Sequence, residues 1–252
     1  MITPGTLARE LALKEVFRSL PRPKVLVDAG CGDGYYLSHI KADRKIGLDL
    51  IPPKRHHDIE SIECDVRYIG IRGGTCDCVM CLDVIEHVEQ DVACVSEFYR
   101  ILRNDGIMVL MTPNDSEYMP YKTLRVILGL DTAKMHRLWE HVKPGYSKEE
   151  LITLIERCGF EVVSHSTICQ PLGRVLDQIY AYPTIMSGYL WSPAQRKRQA
   201  RQGGRITTIL MKCHDSTIPL IFAPIVKKIE RTKDKGFWHL LICKKSMLGE
   251  HS

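Results

Sequence analysis

The segment Asp28-Ala29-Gly30-Cys31-Gly32-Asp33-Gly34 carries the most specific chemistry in the chain. Three glycines in five residues allow positive φ angles and let a ligand approach bare backbone closely. Asp49 follows nineteen residues after Gly30, the separation at which an acidic side chain ending the next strand can hold two ribose hydroxyls. A nicotinamide-binding fingerprint would need a further glycine where Tyr35 stands, and no glycine-lysine-serine or glycine-lysine-threonine ending marks a phosphate loop. Asp28 and Asp33 would repel a pyrophosphate but suit a ligand bearing an amino group and a sulfonium.

These residues need a scaffold, and the pattern around them supplies one. KVLVDAG reads as a short buried strand running into the glycine turn, and YYLSHI reads as the beginning of the helix that follows. KIGLDL, SIECDV and CDCVMCLD are three further strands that end in Asp49, Asp65 and Asp83. Ligands of open parallel sheets bind beyond the carboxyl ends of strands, so these acids should line one crevice. Val92, Val95, Tyr99 and Leu102 recur at helical spacing, with Asp91 as the expected N-cap. Asn104-Asp105-Gly106 is a turn into a fifth strand, GIMVLMTPN. Ser147-Lys-Glu-Glu150 has the capping-box pattern and opens a helix that Gly159 ends, before a sixth strand, FEVVSHSTI. GFWHLLICKK supplies the last strand. At the front, Leu7, Leu11, Lys14, Val16 and Phe17 suggest an amphipathic helix, closed by Pro21 and Pro23, over the ligand-binding end.

The 252 residues suit one α/β domain with an appendage, and 44% hydrophobic content is enough to build a core. Charge locates the appendage. Between Pro193 and Lys235 stand eleven Lys or Arg against three Asp or Glu, while the remainder of the chain is slightly acidic. Such a stretch either attracts anionic partners or forms a solvated basic face. The first residues contain no continuous apolar core, since Arg9, Glu10, Lys14 and Glu15 interrupt it, and no run reaches the length of a membrane span. A cytoplasmic protein with peripheral membrane contact and its ten cysteines reduced is the expectation. Cys76, Cys78 and Cys81 invite a zinc reading, but strand residues three apart face opposite sides, so they are expected to be buried small hydrophobes.

VLVDAGCGDG, IGLDL, ECDV, CDCVMCLDVIEHV, LRNDGIMVLMTPN and YSKEELITLIERCGFEVV together resemble the class I S-adenosylmethionine-dependent methyltransferases, and within them the branch acting on small molecules and lipids, including quinone-biosynthesis enzymes. The resemblance covers residues 24–168 and the final strand. It implies a Rossmann-like α/β sheet of seven mostly parallel strands, with a helical insertion before the last. The domain would span 1–168 and 236–252, and the insertion 169–235. It further implies that S-adenosyl-L-methionine is the cofactor. Asp28, Ala29, Gly30, Cys31 and Gly32 would surround its methionine part, and Asp49 and Leu50 its ribose. Asp65 would meet the adenine amino group, Val66 would lie beside the ring, and Leu82 would wall the other side. In the quinone-type relatives the pair matching Glu86 and His87 helps to hold a divalent ion, and Asp83 stands where another carboxylate occurs; the simpler reading has His87 packed over the cofactor, Glu86 capping a turn and no metal.

In-line methyl transfer asks the protein mainly to align the acceptor with the methyl group, so a base is required only for a protonated acceptor. His141 is the first candidate for a base or acceptor-orienting residue, within the set His136, Glu140 and His141, and His87 is the second. In the insertion, Tyr180, Tyr182, Tyr189 and Trp191 precede Arg196, Lys197, Arg198, Arg201 and Arg205, which resembles a membrane-interface segment. The expected acceptor is therefore a small, lipid-like or isoprenoid molecule taken from an anionic membrane surface. The same charge would also suit nucleic acid, which keeps an RNA methyltransferase as the alternative. A non-catalytic binding module is a third reading.

Overall fold

The computed structural model describes residues 4–53, 57–115, 142–168 and 236–246. The expected insertion, residues 169–235, and the set His136, Glu140 and His141 lie outside the described residues. The elements are α1 (Pro4–Ser19), β1 (Val25–Ala29), α2 (Tyr35–His39), β2 (Arg44–Asp49), β3 (Glu60–Glu63), β4 (Cys76–Leu82), a 3-10 turn (Ile85–His87), α3 (Asp91–Ile101), β5 (Leu102–Pro113), α4 (Lys148–Arg157), β6 (Phe160–Ile168) and β7 (Trp238–Lys245). They form one seven-stranded sheet in the order β3-β2-β1-β4-β5-β7-β6, in which β7 alone runs antiparallel to its neighbours.

Both faces are covered over the centre of the sheet, which is why β1, β4 and the second half of β5 are almost continuously apolar, whereas the edge strands β3 and β6 are largely exposed. Val27, Leu48, Val79, Cys81, Leu110 and Leu241 meet Phe98, Ile101, Leu151 and Ile155 of α3 and α4 in one core. Leu26, Met80, Val109, Met111 and Leu240 meet Leu7, Leu13, Val16 and Leu37 of α1 and α2 in the other. Cys78 and Cys81 fall in opposite cores, and burial pushes both thiols well above their ordinary range. They are packing residues, as the strand period requires.

Several expected boundaries move. The helix opened by YYLSHI stops at His39, after five residues. β3 ends at Glu63, two residues before Asp65. Asp91 is the first residue of α3 and Gln90 holds the cap position without a side-chain bond. The Asp91 carboxylate is instead claimed from a distance, by the Tyr146 hydroxyl at 2.9 Å and Lys143 Nζ at 2.6 Å. The turn at Asp105, with φ 59°, interrupts the pairing of β4 with β5 rather than preceding it: Cys76 pairs Leu102 and Cys78 pairs Ile107. The capping box at Ser147 forms as expected, with Glu150 N–H donating to Ser147 Oγ at 3.2 Å and Ser147 N–H to Glu150 Oε2 at 3.0 Å.

Candidate active site

β1 delivers the glycine turn to the carboxyl-terminal edge of the sheet. Gly30, Gly32 and Gly34 all have positive φ, at 82°, 54° and 78°. At Gly30 a Cβ would lie 2.2 Å from Val84 Cγ2, so no other residue fits. At Gly32 a Cβ would meet nothing within 4 Å, leaving that side of the turn open to a ligand. Asp49 fixes the turn from the end of β2, accepting the N–H groups of Gly32 and Ile51, each at 2.9 Å. Gly30 and Cys31 N–H groups both donate to the Leu48 carbonyl, at 2.7 and 2.9 Å. The turn is thus rigid before any ligand arrives.

Asp28 points inward from β1 and is almost fully buried, and its Oδ1 accepts no hydrogen bond. Burial, reinforced by the nearby Asp49 charge, pushes its carboxyl up to about 8. A buried carboxylate oxygen with no donor is a costly arrangement that a cationic ligand would relieve. Cys31 packs beneath Gly47, where a Cβ would come 2.7 Å from its Sγ, and burial pushes its thiol up to about 12. It shapes the turn and offers no thiolate. Asp65 is held by Arg67, whose Nε and guanidinium nitrogen donate to the carboxylate at 2.6–3.1 Å and keep it below its usual range. Val66 and Leu82 are buried in opposite cores, whereas Leu50 is exposed.

α1 contributes residues that sequence reasoning missed. Arg9 reaches across to an ion pair with Asp83, which follows β4 with φ 54°, and its guanidinium stacks 4.5 Å over the Trp238 ring and 5.7 Å from that of Tyr36. Glu10 accepts from Tyr35 OH at 2.7 Å and pairs with Lys14. The clue was charge at Arg9 and Glu10 between the apolar positions Leu7, Ala8 and Leu13 that this helix buries. Glu86 in the 3-10 turn is fully buried and accepts from Thr112 Oγ1 at 3.0 Å. Its Oε1 has no partner, and burial with the neighbouring Asp83 charge drives its carboxyl well up. His87 Nε2 lies 3.9 Å from that Oε1. Asp83 is engaged by Arg9, and among the described residues no three His, Cys, Asp or Glu side chains are arranged to hold a metal ion.

A rigid glycine turn after the first strand, an acid ending the second and a buried acid beneath the turn are set in a seven-stranded sheet whose last strand is antiparallel. Residues 5–165 match the family defined as the methyltransferase domain. The chain belongs to the class I S-adenosylmethionine-dependent methyltransferase family. It is 30% identical over 117 residues to the tRNA (carboxymethyluridine(34)-5-O)-methyltransferase ALKBH8 of Macaca fascicularis, covering 43% of this chain and 18% of that one. It is 31% identical over 149 residues to the probable S-adenosylmethionine-dependent methyltransferase of Mycolicibacterium smegmatis, covering 54% of this chain and 52% of that one. The chain therefore spans less than a fifth of the first relative and about half of the second. Its fold is similar to that of phosphoethanolamine N-methyltransferase 2 of Haemonchus contortus in complex with S-adenosyl-L-methionine, with a TM-score of 0.55 and 14% identity, covering 98% of this chain and 54% of that one.

The donor set fits this cofactor. Its ammonium would meet the orphaned Asp28 oxygen and its ribose the carboxylate of Asp49, while the open face of Gly32 leaves room for its backbone approach.

Proposed function

We propose that the protein transfers a methyl group from S-adenosylmethionine to a small acceptor that carries a polar head. The observation that supports this most is the unpartnered Oδ1 of buried Asp28 beneath the glycine turn, an oxygen that the ammonium of the cofactor would satisfy. In this reading Asp28 receives the ammonium, Asp49 the ribose hydroxyls, and Val66 and Leu82 the adenine and the opposite wall. Asp65 would take the adenine amino group with whatever acceptor capacity Arg67 leaves it. The cofactor supplies an electrophilic methyl on a sulfonium; the chain's own residues align the acceptor and exclude water.

A lipid-like acceptor is favoured by the aromatic and basic sequence of 169–235, with contact to an anionic membrane as its corollary and a cytoplasmic location as the setting. Among the described residues no helix is long and apolar enough to cross a membrane. RNA is the second reading, favoured by the similarity to the tRNA methyltransferase. Calorimetric titration with S-adenosylmethionine and S-adenosylhomocysteine, beside an Asp49→Ala variant, tests the cofactor assignment. Binding that the variant loses is the expected result, and well-folded protein that binds neither ligand would refute it. Transfer of labelled methyl to lipid extract or to total RNA then separates the two acceptors.

A further inference from the structure

Beyond β4, away from the glycine turn, the edge formed by the carboxyl ends of β5 and β6 and the amino end of β7 carries a cleft of about 540 Å³. That lies within the range of small-molecule sites, roughly 300–1,000 Å³. Two histidines from different strands meet in it. His239 donates from Nε2 to the Tyr146 carbonyl at 3.0 Å, and His165 Nε2 lies 2.8 Å from His239 Nδ1. A carbonyl can only accept, so His239 carries its proton on Nε2, and its Nδ1 must accept from His165 Nε2–H. His165 is thereby left with its lone pair on Nδ1. Burial keeps both imidazoles neutral, with His165 pushed down to about 4, so this order of protons is fixed at physiological pH.

The backbone places His165 by a specific device. β6 pairs with β7 as Val162 to Cys243 and then Ser164 to Ile242, so Val163 is the extra residue of a β-bulge. Unbroken alternation would put Ser164 and Ser166 on the face of Cys243 and Leu241. The bulge reverses the alternation and puts His165 and Thr167 there instead, beside His239. Bulges commonly re-aim a side chain next to a functional site. Among the described residues the fixed charges around the cleft are Lys148 against Asp115 and Glu149, a lining that does not favour an anion. Asn114, Ser164 and Ser166 add neutral hydrogen-bonding groups.

We infer that this cleft binds a neutral, hydroxyl-rich group, the sugar ring of a nucleoside or of a glycoside, with His165 Nδ1 accepting one of its hydroxyl protons as a fixed hydrogen-bond acceptor. That the group belongs to the methyl acceptor rests on the function proposed above; the chemistry of the cleft does not.

The test is 15N-detected imidazole NMR on the full chain, with and without saturating S-adenosylhomocysteine, titrated with uridine, methyl glucoside or inorganic phosphate. The free protein should show His239 protonated on Nε2 and a bare Nδ1 on His165. Uridine or the glucoside should shift the His165 Nδ1 resonance saturably, and His165→Leu, with its unfolding midpoint checked, should weaken that ligand at least tenfold. A response to uridine identifies a nucleoside, and one to the glucoside a glycan or glycolipid head. No shift from either sugar, a shift from phosphate, or unchanged affinity in the variant would overturn the assignment; the wild-type shifts decide it even if the variant does not fold. Protein that binds no S-adenosylhomocysteine yet takes a sugar at His165 would sink the methyl-transfer reading while leaving the cleft established.

Discussion

Replacing Asp28 by Asn should make the protein more stable and less able to bind its cofactor, and the two effects share one cause. In the folded chain the carboxyl is pushed up to about 8 from an ordinary 3.8, first by burial and then by Asp49. Above pH 4 the unfolded chain releases a proton that the folded chain retains, so stability falls as pH rises, until the folded carboxyl also ionises near 8. A separation of about four pKa units corresponds to something on the order of 5 kcal/mol across that window, against total stabilities of about 5–15 kcal/mol. Asn cannot ionise, so the stability difference between variant and wild type should be near zero at pH 4 and grow towards that value by pH 9. Urea unfolding at several pH values measures it. Working with the difference removes the parallel contribution of Glu86, whose carboxyl is also raised. The same protonation should appear in binding. At pH 7 a group titrating at about 8 is about nine-tenths protonated, and an ammonium ligand needs it ionised, so cofactor uptake should release about 0.9 proton. Calorimetry in two buffers of different ionisation enthalpy reads that number, and Asp28→Asn should show weakened binding with no release. A stability difference that stays flat from pH 5 to 9 would refute the argument, because it would mean that Asp28 is already ionised in the fold.

Gly30→Ala meets both a positive φ and the Val84 methyl at 2.2 Å, and should cost about 2–4 kcal/mol and abolish cofactor binding; adding Val84→Ala should recover part of the stability, read by urea midpoint. Arg9→Ala leaves Asp83 partly buried without its cation and removes the stacking on Trp238, so the unfolding free energy should fall by about 1–3 kcal/mol. Ser147→Ala removes the α4 capping box and should cost about 1 kcal/mol without changing cofactor affinity. Among the described cysteines, half-buried Cys64 and Cys158 should label with a disulfide reagent before Cys76, Cys78, Cys81, Cys94 and Cys243, whose thiols react only on unfolding; labelling of all seven at one rate would contradict the packing.

The glycine turn and Asp49 were legible in the sequence because their constraints are local. Positive φ at Gly30, Gly32 and Gly34 demands a residue type, and the acid at the end of β2 stands at a spacing fixed by one strand-helix-strand unit. The seven strands and the cap at Ser147 were legible for the same reason. Asp91 shows where local reading stops. Its sequence neighbourhood asks for an N-cap, but Tyr146 and Lys143, more than fifty residues away, take its carboxylate, and the helix starts one residue earlier than that cap would place it. Asp65 has a like history, since Arg67 occupies a carboxylate that strand order alone would leave free for a ligand.

The two ends of the sheet differ in the same way. On the β3-β2-β1 side, backbone groups and single side chains close to one another in sequence form the site. On the β5-β7-β6 side the arrangement depends on one extra residue, Val163, and on two histidines separated by 74 positions that mean nothing until β6 and β7 pair. No period of apolar residues announces a bulge, because the strand remains a strand on either side of it. Exchanging the residues at 164 and 165 (Ser164→His with His165→Ser) should therefore leave the cofactor end of the sheet intact, with S-adenosylhomocysteine affinity unchanged, while moving the imidazole to the face away from His239 and losing sugar-dependent shifts in the cleft. Loss of both functions together would show instead that the two ends of the sheet are not independent, and that the acceptor side is built into the stability of the whole domain.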